Sequence, residues 1–255
     1  MDPTVETPPR RRPRELLVFA LPNLFTSANL FCGFFCIIQA IQGDFQAAAI
    51  AILIAAFTDG LDGRVARLTK TQSAFGEQYD SMSDLVSFGA APALLMYLFA
   101  LAPYGRWGWV ACFLYLACAA LRLARFNVLK QNTEKRYFQG CPSPVAACSV
   151  AAAVLFYLEF DFQAYRSVYM LVVMFVLALL MISTVRFRSF KDLRFESQIQ
   201  FAYLVLLLVG LVVVVSNPES LLFPLFCVYL ISGPTAELTR FLRRRIPGFP
   251  GKGRI

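Results

Sequence analysis

Eight mostly apolar runs of about 17 to 25 residues recur along the chain, near 18–41, 45–67, 81–101, 107–129, 143–161, 167–185, 198–215 and 219–236. A bilayer core offers backbone N–H and C=O groups no partner, so runs of this length fold as helices that satisfy themselves. The composition agrees, with 58% apolar residues, 16% charged residues and a mean hydropathy of +0.60. The expected fold is therefore all-α: a polytopic membrane bundle of about eight transmembrane helices. The last run carries Pro224 and the Gly233-Pro234 pair, which are expected to kink or end its helix.

Basic residues set the orientation, because cytoplasmic loops keep positive charge. With both ends inside, 22 of the 24 lysines and arginines fall in cytoplasmic segments, leaving Arg106 and Arg166 outside beside Asp44, Glu159, Asp161 and Glu219. The formal charge of +8 is thus topological. Basic ends attract anionic membrane lipids, whereas no nucleic-acid partner is expected of charge divided among short loops. Residues 1–14, with their prolines and arginines, read as a flexible cytoplasmic arm, 15–242 as the transmembrane catalytic domain, and 243–255 as a basic, disordered tail. Seven cysteines occur without a C-x2-C pair, most of them inside apolar runs, and read as small core residues. There is no histidine, so proton and metal chemistry falls to carboxylates.

Four of those carboxylates are concentrated between Asp59 and Asp84, in the order D-G-L-D-G-R-V-A-R, eight residues, then G-E-Q-Y-D-S-M-S-D. Asp59 and Asp62 are three apart and Asp80 and Asp84 four apart, so each pair shares one helix face, with Cβ atoms about 5 to 6 Å apart. Two such faces opposed form a carboxylate cage just below the cytoplasmic surface. Acids within membrane segments are costly unless paired or metal-bound, which marks a functional site. Two other readings stay open: structural ion pairs with Arg64, Arg67 and Lys70, and an ion site in a cation transporter.

The spacing D-x2-D-G-x2-A-R-x8-G-x3-D-x3-D, carried by Asp59, Asp62, Gly63, Ala66, Arg67, Gly76, Asp80 and Asp84, resembles the signature of the CDP-alcohol phosphotransferase family. These membrane enzymes have a six-helix core and transfer a phosphatidyl or related group from a CDP-linked donor to an alcohol, releasing CMP. The resemblance implies that Asp59, Asp62 and Asp80 hold one or two Mg or Mn ions. It makes Asp84 the general base, also able to touch metal, and it implies a homodimer. Gly60 and Gly63 leave room for a nucleotide at the backbone, and Arg67 offers a fork to phosphate. With Ala66 and Gly76 they are the expected contacts of the CDP-linked lipid.

Further segments resemble the bacterial phosphatidylserine synthases of this family: P-N-L-F-T-S-A-N-L-F-C-G-F-F in the first run, S-D-L-V-S-F-G-A-A-P, L-R-L-A-R-F-N-V, Y-F-Q-G-C-P-S-P and S-T-V-R-F-R-S-F-K. By that resemblance Pro22, Asn23, Thr26 and Asn29 line the nucleotide pocket. The last three share one helix face, which also suits capping or interhelical hydrogen bonds. The implied donor is CDP-diacylglycerol and the acceptor L-serine, in a bacterial inner membrane. Serine is zwitterionic, so a cation is expected at its carboxylate, with Arg122, Arg125, Arg186 and Lys191 as candidates. Each could serve the lipid phosphate or be only a positive-inside anchor. Glycerol 3-phosphate, inositol or choline remain alternative acceptors.

Overall fold

The computed structural model describes residues 13–68, 73–130, 138–160, 168–183, 186–187 and 218–245. Helix α1 (Pro13–Gln42) turns directly into α2 (Phe45–Leu68). Gly43 makes that turn possible by adopting φ +84°, and Asp44 then caps α2 by accepting from the Ala47 N–H at 2.9 Å. The two helices pack along their length as an antiparallel pair.

After Ser73, whose hydroxyl accepts from the Gly76 N–H at 3.0 Å, the chain enters α3 (Ala74–Asp84) and continues without a break as a π-helical turn (Leu85–Ala90) and α4 (Ala91–Met96). A second π-helical turn (Tyr97–Leu101) and a 3-10 turn (Ala102–Tyr104) complete a 30-residue apolar span, longer at both ends than the 81–101 run expected from sequence. Pro92 explains the first π turn. Its ring displaces the Phe88 carbonyl and offers no N–H, so the helix widens there. The Tyr115 hydroxyl, fully buried on α5 (Arg106–Lys130), donates to that Phe88 carbonyl at 3.1 Å in place of the missing amide.

Among the described helices α6 (Ser143–Glu159) is well enclosed, with every residue from Val150 to Val154 fully buried. It packs on α2, and both helices bury alanines, Ala146, Ala147 and Ala151 to Ala153 on α6 and Ala48, Ala49, Ala51 and Ala55 on α2; such small side chains let backbones approach closely. Helix α7 (Val168–Ile182) packs on α5, and α8 (Pro218–Arg245) on α6. Large apolar side chains such as Phe31, Phe34, Phe57, Phe113 and Leu179 cover the outside, as in a protein solvated by lipid. The fold is a multi-pass membrane helical bundle. Among the described residues four helices are long and apolar enough to cross, Asn23–Gln42, Phe45–Arg64, Phe75–Tyr104 and Arg106–Val128, and shorter apolar helices occupy Ser143–Glu159, Val168–Ile182 and Ser220–Thr235.

Two details differ from the sequence expectation. Helix α8 runs through both Pro224 and Pro234 rather than ending at either; each proline removes only the one amide that would bond the carbonyl four residues earlier, a loss that packing against neighbouring helices offsets. A two-residue strand β1 (Phe138–Gln139) also pairs antiparallel with β2 (Arg186–Phe187), tying the approach to α6 to the chain after α7. The expected run at 198–215 lies outside the described residues, as do 1–12 and 246–255.

Candidate active site

The C-terminal half of α2 carries Asp59 and Asp62, and α3 carries Asp80 and Asp84. Packing brings the two faces together: one carboxylate oxygen from each of Asp59, Asp62 and Asp80 lies within 4.8 Å of the others. Three like charges so close, with Asp62 only 5% exposed, repel strongly unless a cation joins them. The all-oxygen donor set fits a hard divalent ion, which would take these three residues as ligands.

Asp84 stands outside that trio, 9% exposed, although it comes within side-chain hydrogen-bond reach of Asp59. Helix α1 forms the wall behind the acids. Thr26 Oγ1 donates to Asp62 Oδ2 at 3.2 Å, and one turn later Asn29 Nδ2 donates to Asp84 Oδ1 at 3.1 Å. Hydroxyls on the opposite side lock the register: Ser83 donates to the Thr26 carbonyl at 3.0 Å and Ser87 to the Asn29 carbonyl at 2.9 Å. Thr26 and Asn29 are 4% and 0% exposed, so they face the acids and not open space. Asn23 is half-buried and sits against Gly76, where an added Cβ would come 3.3 Å from the Asn23 oxygen.

Gly60 and Gly63 are exposed, and a Cβ at either would meet nothing within 4 Å. Open volume therefore adjoins the carboxylate trio along α2. Arg122 reaches the site from α5. Its Nη1 donates to the fully buried Ser143 hydroxyl at 2.7 Å, and its Nε is buried without a hydrogen-bond partner among the described residues. It is close enough to interact electrostatically with Asp84 and Asp59. Arg125, one turn along, is exposed and points to the Ile182 carbonyl at 3.5 Å. Pro22, Ala66 and Arg67 lie in helices with side chains outside the described set, Arg186 lies in β2 on the same terms, and Lys191 is outside the described residues.

Sequence reasoning missed Ser83, Ser87 and Ser143. The available signal was their polarity inside apolar runs next to Asp84 and to the Pro142 turn. The family model described as CDP-alcohol phosphatidyltransferase matches residues 19–224, a stretch holding all four acids and Arg122. The chain belongs to this family.

Relatives within the CDP-alcohol phosphatidyltransferases include a CDP-diacylglycerol-serine O-phosphatidyltransferase of Helicobacter pylori, 34% identical over 217 residues, which cover 85% of this chain and 90% of that one. A Mycobacterium leprae protein of the same name is 33% identical over 234 residues, covering 89% and 77%. An archaetidylserine synthase of Methanothermobacter thermautotrophicus is 36% identical over 170 residues, covering 66% and 69%.

Proposed function

We propose that this chain transfers the phosphatidyl group of CDP-diacylglycerol to the hydroxyl of L-serine, giving phosphatidylserine and CMP. The observation that carries the chemistry is the arrangement of four acids: Asp59, Asp62 and Asp80 converge closely enough to hold a cation, and the fourth, Asp84, lies beside them with one oxygen taken by the Asn29 amide. The relatives' names support serine as acceptor. In the reaction the serine oxygen bonds to the lipid-side phosphorus, the bond from that phosphorus to the CMP oxygen breaks, and Asp84 takes the hydroxyl proton. Mg or Mn bound at Asp59, Asp62 and Asp80, as one ion or two, supplies charge neutralisation at the pyrophosphate.

Gly60 and Gly63 give the nucleotide access to the backbone of α2, and Asn23 lies against Gly76; by family resemblance Pro22, Ala66 and Arg67 are further contacts of the CDP-linked lipid. Arg122, braced by Ser143 and with an unused donor, receives the serine carboxylate; exposed Arg125 is an anchor at the membrane surface. Residues 15–242 act as the catalytic unit, between a cytoplasmic arm and tail, in a bacterial inner membrane and as a homodimer. The deciding experiment measures CMP release by purified protein with CDP-diacylglycerol and Mg or Mn, comparing serine, glycerol 3-phosphate, inositol, choline and no acceptor. Release with serine alone, abolished by chelation, is expected. Release with another alcohol replaces the acceptor, and no release from folded protein removes the reading.

A further inference from the structure

The first run of the chain was expected to line a nucleotide pocket, yet Asn29 is fully buried, with its amide nitrogen 3.1 Å from Asp84. We infer that Asn29 is a positioning residue for the catalytic base: it holds one oxygen of Asp84 so that the carboxylate faces the acceptor hydroxyl, and it does not bind nucleotide. This deepens the proposed function and rests on Asp84 being the base.

Three features of the structure carry the inference. First, with Asp84 ionised, as a base must be, the amide has one orientation, because the reverse would set its oxygen against a carboxylate oxygen, two acceptors with no proton between them. Second, the contact is stiff. The Asn29 carbonyl receives the Ser87 hydroxyl at 2.9 Å, so backbone and side chain of one α1 residue grip positions 84 and 87, which lie three apart on the same helix. Third, Asn29 is a poor choice for stability alone. Among the described residues no donor reaches its buried Oδ1, and an unsatisfied buried acceptor offsets what the Nδ2 bond contributes. An apolar side chain of the same size would remove that orphaned acceptor but leave the buried Asp84 oxygen without this donor, so the two changes largely offset in stability. What it would lose is control of the Asp84 rotamer.

The test compares Asn29→Leu, which keeps the volume and removes the donor, with Asn29→Ala, which removes the donor without adding an apolar group against Asp84. Both are purified at full length in detergent and read for kcat, KM for each substrate and Tm. Expected is a fall in kcat on the order of 10- to 100-fold in both, the loss typical of a misaligned catalytic group. KM for CDP-diacylglycerol should stay unchanged, and the Tm of Asn29→Leu should stay close to that of the unaltered protein. A raised KM for CDP-diacylglycerol with unchanged kcat would return Asn29 to the nucleotide pocket. A lowered Tm in Asn29→Leu that accounts for the lost activity would make it structural, and full activity in both variants also overturns the inference. Asp84→Asn is measured alongside: if it turns over normally, the assignment of the base fails, whereas its inactivity beside a fully active Asn29→Leu removes only the positioning role.

Discussion

The Thr26 hydroxyl donates to Asp62 at 3.2 Å while its own backbone carbonyl accepts from Ser83 at 3.0 Å. One residue of α1 thus connects α2 and α3, the two helices that supply the carboxylate trio. A donor on the outer oxygen of a metal-binding carboxylate fixes its orientation, and losing one commonly costs 10- to 100-fold in metal affinity or activity. Thr26→Val keeps the shape and removes the donor. The Mg or Mn concentration for half-maximal activity should rise about 10-fold; an unaltered metal titration would detach Thr26 from the cation site.

Chelation should stop CMP release completely, and Asp62→Asn should weaken metal-dependent binding of CDP-diacylglycerol along with turnover. Asp84→Asn should behave differently, losing at least about 100-fold in kcat while still binding CDP-diacylglycerol in the presence of metal. Equal loss of binding in both variants would merge Asp84 with the trio.

Arg122 and Arg125 lie one turn apart on α5 but meet different surroundings, one braced by Ser143 and the other exposed. Arg122→Gln should raise KM for serine by about 10-fold or more, as expected for a charge-assisted contact of roughly 1.5 to 3 kcal/mol, with a smaller effect on KM for CDP-diacylglycerol. Arg125→Gln should stay near the unaltered enzyme. If the CDP-diacylglycerol KM moves instead, Arg122 serves the lipid phosphate.

Glycines separate stability from function. A Cβ at Gly33 would lie 2.7 Å from the Ser87 Cα, so Gly33→Ala should destabilise the bundle by about 1 to 3 kcal/mol through overpacking. Gly60→Ala and Gly63→Ala meet open space and should stabilise α2 by about 0.5 to 1 kcal/mol each. Their affinity for CDP-diacylglycerol should nevertheless fall. Thermal unfolding together with lipid binding checks both halves, and unchanged affinity at Gly60 and Gly63 would show that the nucleotide does not approach there.

The chain's own order of residues determined the helical membrane class, because length and apolarity suffice when lipid leaves the backbone no other partner. It also determined that Asp59 pairs with Asp62, and Asp80 with Asp84, because such pairs depend only on local helix periodicity. Tertiary structure alone decided how those pairs meet. The trio closes because α2 and α3 are rotated toward each other, leaving Asp84 beside Asn29. Thr26 and Asn29 were legible as one polar face, but a face can point to ligand or to neighbour, and only the packing of α1 turned it onto the acids. The same applies to Arg122 and Arg125, whose equal charge and proximity in sequence conceal different surroundings, one half-buried against Ser143 and the other exposed. The widened turn after Asp84 needed both Pro92 and a hydroxyl from Tyr115, and no local pattern announces a partner 27 residues away. Side-chain spacing within a helix is set by its 3.6-residue repeat, whereas rotation between helices follows from how all their faces pack at once.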